Sequence, residues 1–151
     1  MRFTLRRPTN NQMTTIRPAT LDDNARLFEL LIQLVFSRTP SREAFDLNLP
    51  VILLDPNSNL CVAEAGGEVV GYGLSVLQMT LHANGPVVVV QELVVDLAHR
   101  CSGVGAALMT RIIEDAKHRG ATEITLATSR AKDYYPRFGF NEVAGYFRMK
   151  I

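Results

Sequence analysis

Residues 86–106 constrain this chain more than any other stretch. Pro86 to Leu97 reads as a strand, and the valines at 87, 88, 89 and 90 do not alternate with polar residues, so both of its faces are expected to be covered. A short loop with Arg100 follows, and then Gly103 to Arg119 reads as a helix. Val104, Leu108, Ile112 and Ala116 form its apolar stripe, Arg111, Glu114, Asp115 and Lys117 lie mostly away from it, and Gly120 is the stop. A strand covered on both faces that feeds directly into an amphipathic helix requires a layered arrangement of helices on a sheet.

The remaining elements fit that frame. Thr14 to Ala19 reads as a short strand. Thr20 is placed as an N-cap ahead of Asp22 and Asp23, and Leu27, Leu30, Leu31, Leu34 and Val35 mark an amphipathic helix over 21–36. Residues 41–49 suit a second, shorter helix, with Pro50 near its end. Leu60 to Ala65, the Gly66-Gly67 turn and Val69 to Leu81 read as a β-hairpin. Thr122 to Thr128 is expected as a strand, Ala131 to Arg137 as a helical turn, and Glu142 to Lys150 as the last strand. The sum is a mixed α/β domain whose sheet has parallel and antiparallel neighbours and helices on both faces.

The chain has 151 residues, one domain's worth. Residues 1–13, rich in arginine and without an acid, are expected to be a flexible leader, with Met13 as an alternative start, and residues 14–151 the single domain. Sixteen basic and fifteen acidic side chains leave a net charge of +1, which offers no basic field for nucleic acid. No apolar run approaches the ~20 residues of a membrane span. Two cysteines, Cys61 and Cys101, make no disulfide framework, which points to a cytoplasmic setting. His82, His99 and His118 lack metal-ligand spacing, so no metal is expected.

The chemistry concentrates at 92–106. A loop entering a helix presents consecutive backbone N–H groups, and the helix N-terminus adds about half a positive charge. Gly103 and Gly105 remove side chains where a phosphate would approach, and Arg100 supplies a cation. A glycine-started helix also arises for packing alone, so both readings stand on this physics. A Walker loop is excluded because no Gly-Lys pair exists. The dinucleotide fingerprint also fits poorly, since Gly103-Val-Gly105 runs on into Ala106-Ala-Leu.

Residues 93–108, Leu-Val-Val-Asp-Leu-Ala-His-Arg-Cys-Ser-Gly-Val-Gly-Ala-Ala-Leu, resemble the acetyl-CoA signature of the GNAT superfamily of N-acetyltransferases, [QR]-x-x-G-x-[GA]. Ile16-Arg-Pro-Ala19 and Gly66-Gly-Glu-Val-Val-Gly71 are similar to its first strand and second hairpin. Ala131-Lys-Asp-Tyr134-Tyr135-Pro-Arg-Phe-Gly139-Phe140 resembles its second motif. The resemblance runs from Thr15 to Ile151. Within the superfamily, Arg17-Pro-Ala-Thr20, Asp55-Pro-Asn57, Leu81-His82, Gln91-Glu-Leu-Val-Val95 and Tyr146-Phe-Arg148 are similar to aminoalkylphosphonate N-acetyltransferases.

The resemblance implies acetyl transfer from acetyl-CoA to a primary amine. Val94, Val95, Arg100, Cys101, Ser102, Gly103, Val104, Gly105 and Ala106 are the implied cofactor-binding residues. The strand at 92–96 would splay from its neighbour at a bulge, and a backbone N–H of Val94 or Val95 would polarise the thioester carbonyl. An alkylammonium of pKa ~10 must lose a proton before it attacks, and Glu92 is the candidate base. Tyr135 matches the family's general acid, with Tyr134 at the aromatic packing position beside it. His82 and Arg148 are the candidate acceptor contacts. Cys101 stands where many members have glycine, and Thr128 where many have a cofactor-holding asparagine. The expected acceptor is a small anionic amine such as an aminoalkylphosphonate. Protein amines, polyamines and aminoglycosides are the other acceptors, a non-catalytic acyl-CoA-binding module is the rival class, and homodimer formation through a strand edge suits the architecture.

Overall fold

A computed structural model of the chain describes residues 13–34 and 38–151. The expected leader, apart from Met13, and the helix positions Val35 and Phe36 lie outside the described residues. The elements are β1 (Thr15–Pro18), α1 (Asn24–Leu34), α2 (Arg42–Leu54), β2 (Ser58–Ala65), β3 (Glu68–Met79), β4 (Pro86–Val95), α3 (Val104–His118) and β5 (Glu123–Leu126). Short 3-10 turns at Leu21–Asp23, Leu97–His99 and Tyr135–Phe138 complete them. The five strands form one sheet in sequence order. Its neighbours are antiparallel except for the parallel pair β4 and β5, which α3 connects.

Each face of the sheet has its own apolar layer. Leu108, Met109 and Ile112 of α3 pack with Val70, Val88 and Val90. On the opposite face Leu27 and Leu30 of α1 and Leu49 of α2 pack with Val62, Tyr72 and Val94. Leu108 and Ile112 are fully buried, each stabilising the fold by about 1.5–3 kcal/mol relative to exposure. Helix α3 docks closely because Gly73 has no side chain: a Cβ there would lie 2.9 Å from Ile112 Cδ1. Arg17 ties β1 to the next turn, donating to both Asp23 oxygens at 2.8 Å and to Glu64 at 2.9 Å. Those hydrogen bonds from Arg17 hold the Asp23 carboxyl below the usual carboxylate range, against its burial.

Two expectations from the sequence change. Helix α2 does not stop near Pro50 but runs through it to Leu54. Ser41 Oγ caps its start by accepting from Ala44 N–H, and buried Leu49 anchors its middle, so packing and capping outweigh the hydrogen bond that proline forgoes. The last strand, expected at 142–150, does not form: residues 141–151 are irregular and exposed. Alternating apolar residues make a strand only against a neighbouring backbone, and β4 is the sole strand paired with β5 among the described residues. Elsewhere the boundaries move by a few residues and the architecture is the expected one.

Candidate active site

The site begins with a change of register in β4. Ser75 pairs with Val90 and Leu74 with Glu92, so Gln91 is an extra residue opposite the β3 ladder. One inserted residue turns the following side chains to the other face of the sheet. Val88 and Val90 accordingly pack on the α3 side, whereas Val94, at the same spacing, packs on the α1 and α2 side. Glu92 shares that second face, and its Oε2 accepts a 2.7 Å hydrogen bond from the hydroxyl of Tyr72. Burial pushes the Glu92 carboxyl above its ordinary pKa, while the Tyr72 hydrogen bond opposes the shift. Burial and the adjacent carboxylate push the Tyr72 hydroxyl up, so it stays protonated.

The parallel pairing with β5 ends where the bulge begins. Val87 to Val90 pair with Glu123 to Leu126, and beyond Val90 the β5 side of β4 is open. Alternate residues of an antiparallel strand direct N–H and C=O to the same neighbour. Asp96 N–H donates to Val70 at 2.8 Å, so Val94 faces β3, and Leu93 and Val95 direct their backbone groups into the gap. The Val95 carbonyl confirms this direction by accepting from Arg100 Nε at 3.1 Å. A cleft of about 1190 Å³ fills the gap and is lined by β4 from Val90 onward, the 99–106 loop, and residues 126–131.

The loop is shaped by its backbone. Gly103 precedes α3 with φ 88°, a left-handed conformation that glycine adopts without strain. Gly105 has a different reason: a Cβ there would sit 2.7 Å from the Tyr134 hydroxyl. Cys101 holds φ 60° with a side chain present, as its place in the motif leads one to expect. Asp96 anchors the loop to α1. Its carboxylate accepts from Arg26 at 2.8 Å, Gln33 at 3.1 Å and Ala98 N–H at 2.9 Å, and Gln33 accepts from Leu97 N–H at 3.0 Å. The Gln33 hydrogen bond is the main influence holding Asp96 well below the carboxylate range, with Ala98 and Arg26 adding to it against burial.

Two tyrosines close the far wall. Tyr134 and Tyr135 meet edge to face with centroids 5.3 Å apart, and both line the cleft. Tyr135 also packs on the α3 core, and burial raises its hydroxyl pKa, so the phenol carries its proton at neutral pH. Arg137 lies over the Tyr134 ring at 4.5 Å. Thr128 Oγ1 accepts from Ala131 N–H at 3.1 Å and caps the turn that leads to both rings.

The sequence-derived residues are largely brought together. Glu92, Val94, Val95, Arg100, Cys101, Gly103, Gly105, Ala106, Tyr135 and Arg148 line the cleft. Ser102 and Val104 do not: Ser102 Oγ donates to the His99 carbonyl, and Val104, the first residue of α3, is buried in the core between that helix and the sheet. His82 lies in the turn between β3 and β4, the end of β4 remote from Val95, roughly 30 Å away along ten residues of strand. Tyr72, Asp96 and Gln33 were missed. A tyrosine in a glycine-flanked hydrophobic strand needs a partner for its hydroxyl, but only the shifted register identifies that partner as Glu92. Asp96 did carry a signal, because an aspartate at a strand end suits a turn cap. Among the described residues no group of three or more His, Cys, Asp or Glu is arranged to hold a metal, and no helix is long and apolar enough to cross a membrane.

Comparison with known proteins agrees with this geometry. The family model described as Acetyltransferase (GNAT) family matches residues 22–140. The chain is similar in structure to a transcriptional regulator from Bacillus halodurans C-125, with TM-score 0.84, 26% identity, and coverage of 92% of this chain and 100% of that one. It is also similar to glucosamine-6-phosphate N-acetyltransferase from Arabidopsis thaliana, with TM-score 0.81, 21% identity, and coverage of 92% and 99%. An aminoglycoside N-acetyltransferase in complex with CoA superposes with TM-score 0.82, 18% identity, and coverage of 95% and 97%. At their identities the last two demonstrate a common fold.

Proposed function

The chain belongs to the acetyltransferase (GNAT) family, and from that premise we propose that it transfers the acetyl group of acetyl-CoA to a primary amine by direct attack of the amine on the thioester carbonyl, with Glu92 as the base. The observation that carries the reading is the Gln91 bulge, which both opens the β5 side of β4 and turns Glu92 away from α3. The open edge suits pantetheine, a chain with amide groups able to pair with the free backbone of Leu93 and Val95. The 100–106 loop suits the pyrophosphate through its backbone N–H groups, with Arg100 beside it. Bound there, the thioester supplies an activated acetyl group.

The residues of the chain do the rest. The Val95 N–H, rather than that of Val94, faces the cleft and is suited to bind the thioester carbonyl oxygen as negative charge builds on it. Glu92 takes the proton of the incoming ammonium, directly or through water, and its raised pKa brings its basicity closer to neutral pH. Tyr72 orients that carboxylate. Tyr135, neutral and in the cleft wall, donates a proton to the departing thiolate. The acceptor we favour is a small amine carrying an anionic group, with an aminoalkylphosphonate as one candidate, acting in the cytoplasm.

Calorimetric titration with acetyl-CoA, paired with a thiol-release assay on an amine panel, tests this. Tyr135→Phe should keep acetyl-CoA binding while kcat falls by about 100-fold. Unchanged turnover in that variant would remove Tyr135 as the acid. Failure of the folded protein to bind acetyl-CoA would refute the reading as a whole.

A further inference from the structure

A second cavity, of about 330 Å³, opens between α1, α2 and the sheet on the face opposite α3. Among the described residues, Glu92 is the one that lines both this cavity and the large cleft. An amine held here therefore meets a carboxylate that also borders the cleft. The walls are mainly apolar, with Leu27, Leu31, Phe45, Leu49, Ile52 and Leu74 among them. Among its described lining residues, Glu92 is the only acid and Arg38 the only base. Arg38 lies on the exposed connection before α2.

We infer that this cavity selects a zwitterionic monoamine with an apolar body, whose ammonium meets Glu92 and whose carboxylate or phosphonate is received by Arg38. The inference rests on the acetyl-transfer reading above and adds the acceptor's chemistry and a residue that specifies it. Charge arithmetic carries the argument. A polyamine or aminoglycoside would bring several ammonium groups to walls with one carboxylate, and each charge taken out of water without a partner is strongly disfavoured. An amine with no anion would leave Arg38 unused. One without an apolar body would leave the leucine and phenylalanine walls against water. The volume, on the order of ten water molecules, suits one small molecule. A guanidinium recognises carboxylate and phosphonate alike through paired N–H donors.

The test is calorimetric binding in the presence of CoA, using phenylalanine, its aminophosphonate analogue, phenethylamine, aminomethylphosphonate and spermidine. Phenylalanine or its phosphonate should bind tightest, and their relative affinities distinguish a carboxylate from a phosphonate acceptor. Arg38→Ala should weaken both about 10- to 100-fold and leave phenethylamine unchanged, and Arg38→Lys should recover part of the loss. Arg38 is exposed, so neither variant removes core packing. Tighter binding of spermidine, no binding of either zwitterion, or equal weakening of every amine by Arg38→Ala would overturn the inference. Turnover is read separately by thiol release. Zwitterion binding that depends on Arg38, without acetylation, would uphold this specificity and refute the catalytic reading, whereas acetylation that favours spermidine would do the reverse.

Discussion

The two halves of β4 are made from similar residues and do different things. From Pro86 to Val90 the strand is paired on both sides, with β3 and with β5, and Val87, Val88 and Val90 are buried. From Gln91 to Val95 it is paired with β3 alone, and its other edge faces the cleft. The first half satisfies its backbone within the sheet. The second leaves N–H and C=O groups unpaired by strands and carries Glu92 on the turned face. The contrast teaches that the site arises where sheet pairing is interrupted and that one extra residue marks the interruption.

Removing that residue is the sharpest way to break the comparison. Deletion of Gln91 should return Glu92 to the α3 face and lower acetyl transfer by on the order of 10⁴-fold. Circular dichroism should meanwhile retain helix and sheet signals. Activity near that of the parent would mean that the bulge does not place the base.

Glu92→Gln keeps the shape and removes the charge, with an expected loss of about 10³-fold in kcat/KM. The parent's acid limb should lie above the ordinary carboxylate range because burial raises the Glu92 pKa, and the variant should lack that limb. Stability should move the opposite way. A carboxyl whose folded pKa is raised contributes stability that is full below the unfolded value and is lost as pH rises through the folded one. The variant should therefore gain in melting temperature over the parent as pH rises from 4 to 7.

Val88→Ala probes the paired half, where about 2 kcal/mol of stability should be lost through emptied core volume. Its kcat below the melting temperature should stay within a factor of two. A large kcat loss with little change in stability would show that the halves are not separable.

The smallest effect belongs to the loop. Cys101→Gly relieves a left-handed backbone at φ 60° and should stabilise the fold by about 1 kcal/mol, measured by urea denaturation. Destabilisation would mean that the thiol makes a contact that outweighs the strain.

Much of this was legible in the residues because it is local. The uninterrupted valines of β4 announced a strand covered on both faces, the stripe from Val104 to Ala116 announced α3, and Gly103 marked the turn between them. Glu92, Arg100 and the loop glycines stood out by type and spacing, and Tyr135 by the motif it resembles. The same local signals misjudged residues 142–150, where apolar alternation has no partner strand, and Pro50, where packing carries α2 onward. His82 was linked to the site by its place in a motif, and the length of β4 sets it at the opposite end.

What the sequence by itself determined was the order of the elements, the covered strand, the glycine-entered helix and the presence of a lone carboxylate in a valine-rich segment. These follow from hydrophobic periodicity and backbone preference, which act over a few residues. Only the tertiary structure decided that Tyr72 holds Glu92, that the backbone N–H of Val95 rather than that of Val94 faces the cleft, that Gly105 makes room for Tyr134, and that Arg38 shares a cavity with Glu92. Each of these depends on register between segments distant in sequence. A single inserted residue inverts which face a side chain takes, and that inversion becomes visible only when β3 is laid beside β4.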